Sequence, residues 1–563
     1  MTRKSRDSWQ SLAPGVSWAT HEVFNQPPPL APYNAYTSDV ALREAVRREG
    51  GARAEDRLEK YGAIAGGELY ELGFAANENI PRAKFFDPYG HRINEVEYHP
   101  AYHRSMTLAK AHGLHAMSWT DDRPGARIVR SVLLYLHYQF EAGTMCPITM
   151  THAVIPALRE TPAVAARWEP GIFSTAYDPA NRPAVEKTGL TIGMGLTEKQ
   201  GGSDVRANTT RAVPIGAAGP GEAYRLTGHK WFLSAPMSDA FLALAQAPGG
   251  LSCFLLPRWR PDGTANSLEL QRLKEKLGDR SNAASEVEFR DAWAVMVGEE
   301  GRGVATIIQM VAETRLDCLI ASAGLMRQAV VQALHHGIHR EAFGKRLIEQ
   351  PLMRNVLADL VLESESSLVL ALRLARAFER AGESEQERLF ARLVTPAGKY
   401  WVCKRTVAQV NEAQECLGGN GYIEDFLMAR MYRQAPLNAL WEGAGNIQCL
   451  DVLRAMAKSP RAVEAYLNEC AEARAAEPRL DRYLVELERV LVKRDDLEYR
   501  ARWISERIAI ALQAALLIRA GNSAVAEAFL VGRIGADGGR AFGSLPAGLA
   551  VAEILERAST VPL

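Results

Sequence analysis

The sequence predicts an α+β protein in which helices precede and follow one small β domain. Two changes of hydrophobic period, with turn residues at the changes, carry that reading. Up to about residue 190, apolar residues recur at helical spacing between Pro/Gly loops. From 191 to 300, short runs such as YRLTGHKWFL, FLALAQA, LSCFLLPR and SEVEFR are separated by Gly, Pro, Asp and Asn, as strands joined by turns require. From 301 the helical period returns near 304–339, 350–382, 386–416 and 446–457, in segments long enough to pack as a bundle. The expected units are therefore 1–190, 191–300, 301–457 and 458–563, the last adding amphipathic helices, notably around 483–519.

Individual elements follow from local chemistry. Pro27, Pro28 and Pro29 predict an opening segment that wraps over the surface. Between Ile128 and Phe140, the spacing of Val129, Leu133, Tyr135 and Leu136 predicts a helix with an apolar stripe. GAAGPG at 216–221 reads as a hairpin or loop tip. Gly418-Gly419 closes one helix through a left-handed cap, and Pro460 ends the last helix of the bundle.

Composition narrows the partners. The 563 residues are 47% hydrophobic and 23% charged, with Lys+Arg and Asp+Glu both at 66. There is no net field to draw in nucleic acid or an anionic membrane. The apolar stretch Ile508–Ile518 is short and bounded by Arg507 and Arg519, so it reads as a buried helix and no membrane insertion is expected. The N-terminal MTRKSRDSWQSLAPGV has basic residues without an apolar core behind them, so no targeting segment is read there and a cytoplasmic location is expected. The seven cysteines are scattered and lack CxxC spacing, which predicts buried thiols in a reducing compartment.

Three segments can carry chemistry. In TIGMGLTEKQGGSDVRANTT (191–210), Gly201 and Gly202 allow close backbone approach to a ligand, and Thr197 and Ser203 add hydroxyls. A polar helix–strand connection is the plain alternative. In GHKWFLSAP (228–236), Trp231 and Phe232 offer a flat apolar wall with Ser234 beside it, or simply pack inward. In ECLGGNGYIEDFLMARMYR and LWEGAGNIQ, Gly418, Gly419 and Gly421 expose backbone, and Glu442 sits between Trp441 and Gly443. A carboxylate in an apolar site holds its proton more tightly and is the better base. A glutamate merely stabilising a helix start is the alternative. His335, His336 and His339 share a helical neighbourhood without a matching carboxylate cluster, so no metal is expected. No Walker A sequence, HExxH pair or nucleophile elbow is present.

Taken in order, GMGLTEKQGGSDVRANTTRA, GHKWFLSAP, LKEKLGDRSNAASEVEF, REAFGKRLIEQPLMRNVLADL, ECLGGNGYIEDFLMARMYR and LWEGAGNIQCLDVLR resemble the acyl-CoA dehydrogenase family over residues 18 to about 457. The resemblance implies an N-terminal helical domain, a β-barrel-like middle domain and a C-terminal four-helix bundle, with an added helical domain behind. It implies a homotetramer binding FAD partly across subunits. Thr197 and Ser203 would belong to the flavin loop, with Ser234 donating toward the reactive flavin edge. Arg340 and Phe343 would reach a neighbour's FAD. Gly418, Gly419 and Gly421 would lie beside the dinucleotide, Asn446 in the last flavin-contacting segment and Arg315 near the substrate end. Glu442 would remove the α proton of an acyl thioester, the β hydrogen leaving as hydride, and a separate electron acceptor would reoxidise the flavin.

The chain departs from the family pattern at Lys199-Gln200, Phe232, Pro351 and Glu415. These departures fit a branch associated with DNA binding and protection from alkylation damage, with weak or no dehydrogenase turnover. Its duplex-DNA reading depends on the tail. Residues 461–563 hold 14 Lys/Arg and 15 Asp/Glu, a balance of −1, so any attraction to phosphate rests on a local cluster of Arg474, Arg479, Arg482, Arg489, Lys493 and Arg494.

Overall fold

The computed structural model describes residues 20–492, 495–535 and 538–563. The α+β reading holds, with helices on both sides of a central sheet. The N-terminal part is not wholly helical: β1 (Arg82–Phe86) and β2 (Arg92–Glu97) form an antiparallel hairpin. Behind it come α1 (Pro100–Ala111), α2 (Ala126–Tyr138) and α3 (Met145–Ala153). Every residue of α2 is buried, so the expected apolar stripe is instead a helix enclosed all round. Its charges survive there because each has a partner: Arg127 meets Glu313 at 2.5 Å and Arg130 is bidentate to Asp317.

The middle strands are β3 (Ile192–Gly195), β4 (Arg211–Pro214), β5 (Ala223–Ser234), β6 (Ala240–Ala247), β7 (Gly250–Pro257), β8 (Leu268–Leu273) and β9 (Ala284–Val297). Pairing runs β4–β5–β9–β7–β6 and returns to β4 through Arg211 and Gln246, which closes the sheet into a barrel. FLALAQA is apolar from Phe241 to Ala245 because β6 has a core on each face. Leu242 and Leu244 join the cluster shared with α3, whereas Phe241 and Ala245 fill the barrel interior. GAAGPG links β4 to β5 at the expected tip.

The bundle is built from α4 (Gly303–His339), α5 (Pro351–Arg380), α6 (Glu385–Cys416) and α7 (Gly445–Lys458). Between α4 and α5 a small hairpin, β10 (Glu341–Ala342) and β11 (Lys345–Arg346), projects with Phe343 at its tip. Gly418 follows α6 at φ +58 and ψ −138, a positive-φ turn but not the left-handed helical cap expected there. After Pro460, which opens α8 (Pro460–Ala471), come α9 (Pro478–Val492), α10 (Ala501–Ala520) and α11 (Val551–Ala558). Buried ion pairs fasten this region to α5. Arg533 reaches Asp359 at 2.5 Å and Glu363 at 3.0 Å, Arg557 reaches Glu365 at 3.0 Å, and Arg373 reaches Glu469 at 2.6 Å. All seven cysteines are free and buried. Among the described residues no helix is long and apolar enough to cross a membrane.

Candidate active site

Glu442 lies in the short connection before α7, with a left-handed backbone at φ +58, and Gly443 follows at φ +100. A non-glycine residue there is strained, so the surroundings must hold it. They do so by binding three consecutive carbonyls. Lys399, buried on α6, donates to Trp441 O at 2.9 Å and Gly443 O at 3.0 Å. Arg315 donates to Glu442 O at 3.0 Å, and Gln448 donates to Glu442 O and Gly443 O, both at 2.8 Å. Charge-assisted bonds of this kind are the strong ones. Arg315 is itself fixed by Asp451 at 2.7 Å, which Arg392 also binds.

The side chain is half-buried, and Oε2 accepts from the Thr314 hydroxyl at 2.8 Å. Burial pushes its carboxyl above the usual range; the Thr314 hydrogen bond and the charges of Lys399 and Arg315 offset part of that. The outcome is a carboxylate with increased proton affinity, as a general base near neutral pH needs. Trp441 packs into the cluster that α3, α4 and the barrel share. Burial pushes the Cys146 thiol in that cluster up; the Ser234 hydroxyl offsets part of this and the Glu442 carboxyl adds to it.

The loop after β3 is anchored by a buried ion pair absent from the sequence reading. Lys230 on β5 donates to Glu198 at 2.7 Å and to Leu244 O at 2.9 Å, with both side chains fully buried. Burial alone would raise the Glu198 carboxyl; Lys230 and the Thr210 and Thr209 donors outweigh it and hold the group well below the usual range. That anchor leaves Thr197 half-buried and Ser203 exposed, with Trp231 N–H donating to Thr197 O at 2.8 Å. Gly202 packs against Thr197 so closely that a Cβ would stand 2.2 Å from its Oγ1. Phe232 is exposed, and Ser234 ends the same strand half-buried.

Two other candidate groups are presented outward. Phe343 is fully exposed at φ +55, and Arg340 beside it donates to Asn25 O at 2.5 Å in the N-terminal strap. Gly418 and Gly419 face open space, whereas Gly421 is pressed against Gln414 O. Arg315 supports the Glu442 backbone; Asn446 is exposed and accepts from Arg502 Nε of α10 at 2.8 Å. Thr314, Lys399, Gln448 and Arg502 are the site-forming side chains that the sequence reading missed. The one local signal was Lys399, a lone cation in the apolar run TPAGKYWVC.

The other candidates resolve differently. His335 is bonded to Pro28 O at 2.8 Å and His339 to His335 O at 2.9 Å. Among the described residues no group of three or more His, Cys, Asp or Glu is placed to hold a metal. Two members of the proposed basic cluster are engaged by acids: Arg474 with Glu488, and Arg479 with Glu477 at 2.8 Å and with Glu527. Arg482 and Arg489 are exposed; Lys493 and Arg494 lie outside the described residues.

Comparison with known proteins adds the family context. Residues 25–179 match the adaptive response protein AidB N-terminal domain. Residues 193–292 match the acyl-CoA dehydrogenase middle domain, and 301–457 its C-terminal domain. The chain is 46% identical to the putative acyl-CoA dehydrogenase AidB of Escherichia coli strain K12, over 85% of this chain and 88% of that one. It is 30% identical to acyl-CoA dehydrogenase family member 11 of Caenorhabditis elegans, over 90% and 87%. In three dimensions it is similar to Caenorhabditis elegans ACDH-11 in complex with C11-CoA, at TM-score 0.83 and 27% identity, over 97% and 94% of the two chains.

Proposed function

Because the chain belongs to the acyl-CoA dehydrogenase family and is AidB-like within it, we propose that it is an FAD-binding flavoprotein of the alkylation response. In this reading it keeps the family's proton-abstracting centre and turns acyl thioesters over slowly. The observation that carries it is Glu442: strained, half-buried, proton-avid and held by side chains from three helices.

The residues present fit FAD. Thr197, Ser203 and Gly202 offer hydroxyl and backbone donors on an anchored loop, whose turn the Gly201 N–H closes on Glu198 O at 3.0 Å. Phe232 gives an exposed aromatic face next to Ser234, and Asn446 stands at the opening of α7. Gly418 and Gly419 leave room for a close neighbour. In a homotetramer, Phe343 and Arg340 would complete a neighbour's site. When bound, FAD supplies hydride acceptance, and a separate electron acceptor takes the electrons onward.

The remaining chemistry belongs to the chain. Glu442 takes the α proton, and its raised proton affinity lowers the cost of holding it. The Glu442 backbone N–H would donate to the thioester oxygen as negative charge grows there. Thr314 keeps the carboxylate aimed, and Arg315 acts through the loop backbone.

The alkylation-response role rests on likeness to AidB across both chains. For contact with duplex DNA, the exposed Arg482 and Arg489 are the cations available on α9.

Anaerobic mixing of the FAD-loaded protein with a panel of acyl-CoAs tests the chemistry. The expected result is flavin bleaching well below a typical enzyme turnover of roughly 10 per second, abolished in Glu442→Gln. Turnover at or above that rate, or equal bleaching in both proteins, overturns the reading. Purified protein that takes up no FAD removes its premise. Duplex binding by fluorescence anisotropy, weakened by Arg482→Glu with Arg489→Glu, tests the DNA contact; no binding near physiological salt rejects it.

A further inference from the structure

A cavity of about 500 Å3 opens where the β1–β2 hairpin, α1 and the turn after β5 meet. That is within the usual range for small-ligand sites. Glu442 and Ser234 are not among its walls, although Ala235 and Pro147 are, one residue beyond Ser234 and Cys146.

Its walls are aromatic. Tyr98 stacks on Tyr102 with ring centroids 4.2 Å apart and planes 19° from parallel. His103 stacks on Tyr177 at 5.9 Å and 29°, and its Nδ1 lies 3.0 Å from the Tyr177 hydroxyl. Burial lowers the His103 imidazole below its ordinary range, so it faces the cavity neutral at pH 7.

Two polar atoms there lack a hydrogen-bond partner. Ser238, only 3% exposed, has an unpartnered Oγ, and the buried Tyr98 hydroxyl has none either. Buried hydroxyls without partners are unfavourable, and a ligand with acceptor atoms would satisfy them.

Charge at the cavity is acidic. Glu95 accepts from the neutral Asn181 amide at 3.0 Å, and Glu97 pairs with Lys84 in a solvent-exposed contact at 3.2 Å. Asp178 is balanced by Arg182. Lys187 is the one lysine in the wall, and it is held by Asp239 at 2.6 Å with 3% of its side chain exposed. Behind the wall, Arg258 donates to the Pro236 and Asn94 carbonyls. An anion such as a phosphate would meet Glu95 and Glu97 with no free cation among the cavity walls. An aromatic ring would meet π faces, and a cationic ring would gain from both π faces and carboxylates.

We propose that this cavity is a second small-molecule site, separate from Glu442, that takes a planar nitrogen heterocycle in neutral or cationic form and rejects anions. It does not depend on the flavin chemistry.

Three probes of one ring size test it: 1-methylnicotinamide, nicotinamide and nicotinate, titrated into the full-length FAD-loaded protein and followed by ligand-detected NMR. The cation should bind about fivefold tighter than the amide and at least about tenfold tighter than the acid, the order that aromatic faces and carboxylates impose. Tyr98→Phe, which is nearly isosteric, and Ser238→Ala should each weaken the amide about threefold, the loss of one hydrogen bond. Glu95→Gln with Glu97→Gln should erase the preference for charge. The proposal is overturned if the cation shows no saturable binding at millimolar concentration. It is also overturned if nicotinate binds as well as the cation, or if all these variants bind unchanged.

Discussion

Around Glu442, side chains of α4, α6 and α7 converge on three successive carbonyls, and a strained backbone is held in place by its own chain. Around Phe343 the reverse holds: an equally unusual left-handed residue sits at a hairpin tip with its ring wholly in solvent. Its neighbours are tied back to the strap, Arg340 to Asn25 O and Asn25 to both the N–H and the carbonyl of Glu341. On the proposed reading, the strain held from within belongs to a group that acts on a small molecule, and the exposed aromatic tip to one that meets a neighbouring subunit.

The sharpest way to break this contrast is Glu442→Gln. It should slow flavin reduction by about 10²–10⁴-fold, the range a positioned base contributes, while FAD stays bound; stopped-flow absorbance reads both. Next comes the support. Lys399→Met leaves two part-buried carbonyls without their charged donor, Gly443 O keeping only Gln448, and should cost about 1–3 kcal/mol in urea unfolding. A loss under 0.5 kcal/mol would mean that the loop holds its own shape.

Phe343→Asp addresses the other side of the contrast. It should leave stability within about 0.5 kcal/mol, as for most surface changes, while lowering the assembled mass by sedimentation and the FAD retained. Unchanged mass and flavin content would show that the tip has no partner. The smallest effect is expected from Thr314→Val. The Glu442 carboxyl lies above its ordinary range, so the base form fills as pH rises, and the Thr314 hydroxyl favours that form. Removing it should move the acid limb of the rate profile to higher pH and change the plateau rate about twofold or less. A shift to lower pH would mean that the hydroxyl accepts a hydrogen bond from the protonated carboxyl instead.

The same contrast explains what could be read from the sequence. Strands and long helices were legible where period and turn residues agreed, as in FLALAQA and the run from Gly303 to His339. The β1–β2 hairpin was missed because RAKFF and RINEVE carry charges on exposed faces that hide the alternation. In α2, Arg127, Arg130 and His137 look like a solvent face until Glu313, Asp317 and Tyr61 are brought against them. Glu442 stood out through its glycines, but its supports arrive from across the bundle, Arg315 lying 127 residues away. Likewise Arg479 of α9 looks available to phosphate until Glu477 and Glu527 come alongside it.

The buried ion pairs between α5 and the last hundred residues have a consequence for how the chain can be divided. A protein cut after residue 458 would discard the guanidinium groups of Arg533 and Arg557 that bind Asp359, Glu363 and Glu365, leaving Glu363 with Arg405 alone. It would also strip Glu469 from Arg373, which keeps Glu387. Breaking a buried ion pair from one side costs about 3–5 kcal/mol. The tail is thus a keystone and not an appendage, and shortening it tests foldability before it tests any role at DNA.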